Sequence, residues 1–207
     1  MEDIIYLTQQ KSLTNREIPI KIKVRLFNDI SILKDYYEGS VTAHFCKEGC
    51  VNYDKKWSCP PCSNSYLNIE KKYSSACLLC FYTELKHYND IKNKYLAIKA
   101  ANVTLKSLVE KSARDLEAYA GGYSLLSGSC RLCKPCQRKL NLPCKNPDKM
   151  RYSMEATGLN VQKICNDFLD HTLLWYKNKT LPAYTSTIAL VLFNYSLKID
   201  EILNFLK

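Results

Sequence analysis

The chain has 207 residues, with 30 Lys and Arg against 20 Asp and Glu, and so a formal net charge of +10. Hydrophobic residues at 46% and charged residues at 24% exclude bulk disorder, and 6 Gly with 7 Pro exclude collagen-like and low-complexity chains. No apolar run approaches the roughly 20 residues of a membrane helix. The opening MEDIIYLTQQ lacks the basic start and apolar core of a signal peptide, so a cytoplasmic protein with no membrane contact is expected.

Taken in order, Ile18–Phe27 alternates, with Ile20, Ile22, Val24 and Leu26 on one face and Lys21, Lys23 and Arg25 on the other, as a half-buried strand does. Asp29 can cap a short helix reaching about Tyr37. A cysteine loop from His44 to Cys62 follows, because Cys59-Pro60-Pro61-Cys62 suits neither helix nor central strand. Ser63 or Ser65 can start a helix to Lys72, and Ser75–Thr83 reads as a buried strand. From Tyr88 to Tyr119 the apolar positions Ile91, Tyr95, Ile98, Leu105, Val109 and Leu116 recur helically, with a break expected near Val103-Thr104 and an end at Gly121-Gly122. Tyr123–Ser127 is a further strand, leading into a second cysteine loop, Ser129 to Arg151. Asn160 can cap a helix bearing Val161, Ile164, Phe168 and Leu169. Thr185–Asn194 is the clearest strand, and Ser196 is placed to cap a last helix through Leu206.

No repeat, linker or low-complexity block divides the chain. The reading is one cysteine-rich metal-binding domain over residues 1–207. Its class is α/β or α+β, a central sheet with flanking helices and two cysteine-rich loops at about 44–62 and 129–151.

Eleven cysteines are the outlying count. An odd number cannot all pair, and in a reducing compartment dense cysteine points to metal. Cys130-x2-Cys133-x2-Cys136-x7-Cys144 is the sharper group. Three thiols at steps of three crowd a single tetrahedral ion but suit the corners of a [4Fe–4S] cubane, and Pro143 turns the chain back toward them; a zinc knot is the alternative. Arg131, Lys134, Arg138, Lys139, Lys145, Lys149 and Arg151 surround it against Asp148 alone. These cations can dock an acidic redox partner or an anionic small molecule, or simply form a solvated basic loop.

Cys46-x3-Cys50-x8-Cys59-x2-Cys62 offers four thiols, or three if Cys62 turns away. For an iron–sulfur site, four would saturate a second cluster, whereas three would leave one iron open; zinc, or no metal, is the alternative at this group. Tyr53 and Trp57 are placed to shield this group, or to fill the core. His44 is a candidate ligand or proton donor. Cys77 and Cys80, on opposite faces of a strand, and Cys165, on the apolar side of a helix, read as core thiols. His87 and His171 have no identifiable partners, and no dinucleotide, P-loop or serine-hydrolase motif is present.

The ordered motifs CKEGC (46–50), Tyr53, WSCPP (57–61), CRLCKPC (130–136), PCKNPDKM (143–150) and SMEATG (153–158) resemble a prokaryotic family of predicted metal-binding proteins catalogued as a domain of unknown function. The resemblance implies metal binding by Cys46, Cys50 and Cys59 and by Cys130, Cys133, Cys136 and Cys144. In that pattern the position after CPP need not be Cys, which sets Cys62 apart as an extra thiol. Glu155, inside SMEATG, is a candidate ligand contact or proton donor.

The functional expectation is an iron–sulfur protein with one or two [4Fe–4S] clusters, one of them open for reductive or sulfur-transfer chemistry on a small molecule. A purely electron-carrying protein is a second expectation. A zinc-stabilised nucleic-acid module, argued from the net charge and the Lys21/Lys23/Arg25 face, is a third.

Overall fold

The computed structural model describes residues 7–13 and 16–206; the first residues of the segment read as lacking a signal peptide lie outside them. Strands β1 (Leu7–Leu13), β2 (Arg16–Phe27), β3 (Ser75–Glu84), β4 (Tyr123–Leu125) and β5 (Tyr184–Phe193) form one sheet in the order β1-β2-β3-β5-β4, with every neighbouring pair antiparallel. An antiparallel sheet with helices on both faces is an α+β architecture.

The central strands are apolar on both sides because both faces are covered. On one face, Ile20, Ile22, Leu79, Phe81 and Val191 pack against Ala101, Leu105, Val109 and Leu116 of helix α3 (Lys94–Ala120). On the other, Leu78, Leu190 and Leu192 meet Ile164, Cys165 and Leu169 of helix α4 (Val161–Leu169), together with Leu33 and Tyr66. Cys77 and Cys80 fall one in each layer, so all three of the thiols read as core are core.

Most local signals hold. Asp29 accepts from Ser31 N–H at the start of a 3₁₀ helix, Ile30–Tyr36. Ser65 caps α2 (Tyr66–Ile69), Asn160 caps α4, and Gly121 ends α3 in the left-handed conformation. Outside the cysteine loops, four expectations change. No break occurs at Val103-Thr104: Thr104 is buried and its hydroxyl donates to Ala100 O (3.2 Å), so the helix runs through. The strand at Tyr123 stops at Leu125, after which Leu126 N–H donates to Tyr152 O (2.8 Å). The last helix, α5 (Ile199–Leu203), is capped at Lys198 rather than Ser196, with the Glu201 carboxylate accepting from Lys198 N–H (2.8 Å).

The fourth change concerns the basic face of β2, which is not a free surface. Lys23 is 6% exposed and its ammonium donates to Leu169 O (2.9 Å) and Asp170 O (2.7 Å), neutralising the carbonyl end of α4. Lys21 pairs with Glu84 (2.7 Å). The argument for nucleic-acid binding through this face therefore loses its footing.

Candidate metal centres

The first cysteine group is not a pure loop. Residues Gly39–Gly49 form helix α1, which carries Cys46 in its last turn and ends at Cys50, whose N–H donates to Cys46 O (3.1 Å). Residues four apart lie on one side of a helix, so the two thiols share a face, while His44, two residues before Cys46, does not. His44 is exposed. The helix is seated from its start: Glu38 N–H donates to Gly158 O (2.8 Å), Asn160 N–H to Tyr36 O (2.9 Å), and the Asn160 side chain to the Glu38 carboxylate (2.8 Å). Gly158, at φ +98°, allows this approach, since a Cβ there would lie 2.4 Å from the Tyr37 ring.

Beyond α1 a string of turns folds the chain back. Tyr53 N–H donates to Cys50 O (3.1 Å), Asp54 N–H to Pro60 O (2.9 Å) and Cys59 N–H to Lys56 O (3.1 Å). This returns Cys59 to the end of α1. Burial first, then the Cys50 thiol and the Glu155 carboxylate, push the Cys46 thiol above its ordinary range. Burial first also raises Cys59, with Cys50 and Cys46 adding to it while Ser58 and Lys56 oppose. Cys46, Cys50 and Cys59 are thus within electrostatic reach of one another, and Glu155 is within that reach of Cys46.

Cys62 goes elsewhere. Its sulfur accepts from Arg138 Nε (3.2 Å), and it opens on a hollow shared with Trp57, Cys144 and Tyr152. Arg138 is fixed by Asp54 (2.6 Å) and Asn141 (2.6 Å) and lies over the Trp57 ring, 5.5 Å from its centroid.

The second group leaves and re-enters the fold at one point, the Leu126–Tyr152 hydrogen bond and the adjoining Leu126–Ser153 bridge. Between them Cys130, Cys133, Cys136 and Cys144 all line one cavity, walled by Trp57, Leu132 and Met150. Burial chiefly raises the Cys130 thiol, and Cys144 and Cys133 raise it further. Asn146 Nδ2 donates to Cys133 Sγ (3.1 Å). Among the described residues, no three His, Cys, Asp or Glu side chains are set to hold a single metal ion. Four sulfur donors and apolar walls are a donor set that fits a metal cluster.

The two groups share a wall. Trp57, read from sequence as a shield for the first group, lines the cavity of the second, and its indole N–H donates to Leu142 O (2.9 Å). Buried Ser58 accepts from Cys130 N–H (2.9 Å) and lies 3.9 Å from Cys59 Sγ. Lys56 donates to Ser129 Oγ (3.0 Å) and Cys130 O (2.8 Å). Ser58 and Lys56 carried no sequence signal beyond Ser58's place inside WSCPP.

The basic loop is also less naked than its sequence. Glu110 of α3 pairs with Arg131 (2.8 Å), Asp54 with Arg138 (2.6 Å), and Glu117 with Arg151. Burial alone would raise the Glu117 carboxyl, but the Arg151 and Ser124 hydrogen bonds overcome it and hold the group ionised below its usual range. Lys134, Lys139, Lys145 and Lys149 stay exposed.

Among the described residues, no helix is long and apolar enough to cross a membrane. Comparison with curated proteins and with solved structures returns no match to this chain. The family described as "Predicted metal-binding protein (DUF2284)" matches residues 34–193, a span that contains both cysteine groups, and the chain belongs to that family of predicted metal-binding proteins.

Proposed function

We propose that this metal-binding protein is an iron–sulfur protein of the cytoplasm. Cys130, Cys133, Cys136 and Cys144 would hold one [4Fe–4S] cluster, and Cys46, Cys50 and Cys59 a second. The observation that carries the reading is the convergence of four thiols in C-x2-C-x2-C-x7-C order on one cavity with apolar walls. Cys62, engaged by Arg138, would stand outside the ligand set, leaving three thiols at the first group. A bound cluster supplies one-electron chemistry and, where the protein gives only three thiolates, a Lewis-acid position.

The chain's own residues divide the work. Trp57, Leu132 and Met150 wall the second group on its apolar side, and the Asn146 hydrogen bond on Cys133 would tune the electron density of that sulfur. Glu155, within electrostatic reach of Cys46, is the candidate proton donor at that group. Ser58 links Cys59 to the backbone of Cys130, the short path by which an electron can pass between the groups. The exposed lysines attract an acidic redox partner. The reaction class that fits is reduction of, or sulfur transfer to, a small molecule at the first group.

The test is iron, sulfide and zinc content with electron paramagnetic resonance on anaerobically purified protein, beside Cys62→Ala. About eight irons and eight sulfides per chain, unchanged in Cys62→Ala, are expected for two cubanes with a three-thiolate first site. Stoichiometric zinc in place of iron overturns the cluster reading. Loss of one cluster in Cys62→Ala makes Cys62 a ligand and favours a pure electron carrier.

A further inference from the structure

A separate cavity of about 240 Å³ meets the four-thiol cavity at Cys130 and Leu132, which line both. It is small beside the roughly 300–1,000 Å³ of sites for drug-sized ligands. Arg114, Arg131 and Arg151 reach it, and Glu110 is the carboxylate among its described lining residues. Arg151 is already committed, to Glu117 and to the carbonyls of Asp148 (2.7 Å) and Met150 (2.8 Å).

The other two guanidinia have donors left. Arg131 gives one contact to Glu110 (2.8 Å), while Arg114 reaches Lys149 O at 3.3 Å and lies 3.8 Å from that same Glu110. Each guanidinium carries five N–H donors, and one carboxylate cannot neutralise two cations. A third cation stands behind the rim. Lys106 brings its ammonium so close to Gly128 that a Cβ there would lie 2.8 Å from Nζ. Burial first, then Arg131 and Lys56, hold the Lys106 ammonium below its ordinary range, against the opposing pull of Glu110 and Glu155. The site therefore carries positive charge in excess of its acids.

The geometry points to a binding site for a small oxyanion, the phosphate or carboxylate group of a small molecule, clamped by Arg114 and Arg131 with Lys106 behind it. The proposal deepens the metal-centre reading, on which it rests only for what the bound molecule does there: it would place an anionic substrate or effector against the residue that carries the Cys130 thiol. The binding itself is independent of which metal the thiols hold.

The test is isothermal titration calorimetry of the full-length, metal-loaded protein with inorganic phosphate and with citrate in low-salt chloride buffer. One of the two is expected to bind at a single site. Arg131→Gln and Arg114→Gln should each weaken it roughly tenfold or more, because charge-assisted contacts are strong. Glu110→Gln should tighten it, since it removes the competing carboxylate and frees both guanidinia. A purely structural ion pair gives the opposite sign for Glu110→Gln, and circular dichroism shows that each variant is folded. Phosphate binding alone identifies a phosphate ester as the ligand class, and citrate binding alone a carboxylate; either supports the site. No binding to folded wild-type protein, or weaker binding in Glu110→Gln, overturns it. Zinc found in place of iron overturns the cluster reading and leaves the calorimetric result standing.

Discussion

The first cysteine group hangs from the end of a helix that has no buried residue, whereas the second sits in a loop with almost no regular structure that is nailed down from outside. Helix α1 is 11 residues long and leaves Phe45 69% exposed, so little besides its seated start holds it in place. The second loop has the reverse design. Glu110 and Glu117 on the long helix α3 grip it from outside, and contacts from Asp54, Trp57 and Ser58 tie it to the first group's own segment. A metal centre can be placed by a local element that the metal then steadies, or by distant elements that are rigid before it arrives. In the proposed centres the first group relies on the local helix α1 and the second on the distant helix α3.

Removing the metal is the strongest way to expose the difference. With a chelator, hydrogen exchange should accelerate most in residues 39–62 and less in 129–151, while β3 and β5 keep their protection. Equal loss in both segments would mean that α1 is as firmly held as the loop. The next largest effect is Glu117→Gln, which leaves Arg151 largely buried without its counter-charge. A loss of about 3 kcal/mol or more in denaturant unfolding is expected, along with weaker metal retention by the second group than by the first.

Ser58→Ala probes the shared wall. It strands the Cys130 N–H and should cost about 1–2 kcal/mol. Because Ser58 touches both groups, the spectra of both centres should shift; a shift confined to one would show that they are isolated. His171 provides a baseline remote from this wall. Burial first, then Lys23, lowers it from 6.5 to about 4, and its ring bonds Ser186 Oγ (2.7 Å). Between those pH values the unfolded chain takes up a proton that the folded one refuses, so stability is constant above the window and falls on acidification through it. The His171 part of the slope should approach ~1 kcal/mol per pH unit and be lost in His171→Gln, leaving the acid-side slope of lowered carboxylates such as Glu84 and Glu117.

What the sequence disclosed follows from distance along the chain. Strand alternation in 18–27, the Asp29 and Asn160 caps and the Gly121 stop depend on neighbours within a few residues and were legible, as was the Ser65 cap to within a choice of two serines. The C-x2-C-x2-C-x7-C spacing is local in the same way. Helix α1 was hidden because the dense cysteines and Cys59-Pro60-Pro61-Cys62 looked like loop, while the seat that fixes the helix is Gly158 and Asn160. The partners of Arg131 and Arg151 were invisible for the same reason, since Glu110 and Glu117 belong to a helix that reads as an ordinary solvated one. The turn of Cys62 toward Arg138, and of Trp57 toward the second group, is tertiary information that spacing does not encode.

The seat of α1 has a consequence for the order in which the molecule is assembled. Glu38 and Asn160 stand 122 positions apart, so their contact closes a loop of more than half the chain. Closing so long a loop sacrifices chain entropy before any contact compensates for it. A nascent chain halted at residue 157 would already hold all eight grouped cysteines and still lack the Gly158–Asn160 shelf on which the first group's helix rests. The helix that carries Cys46 and Cys50 therefore gains its seat only once the chain has been made past residue 160.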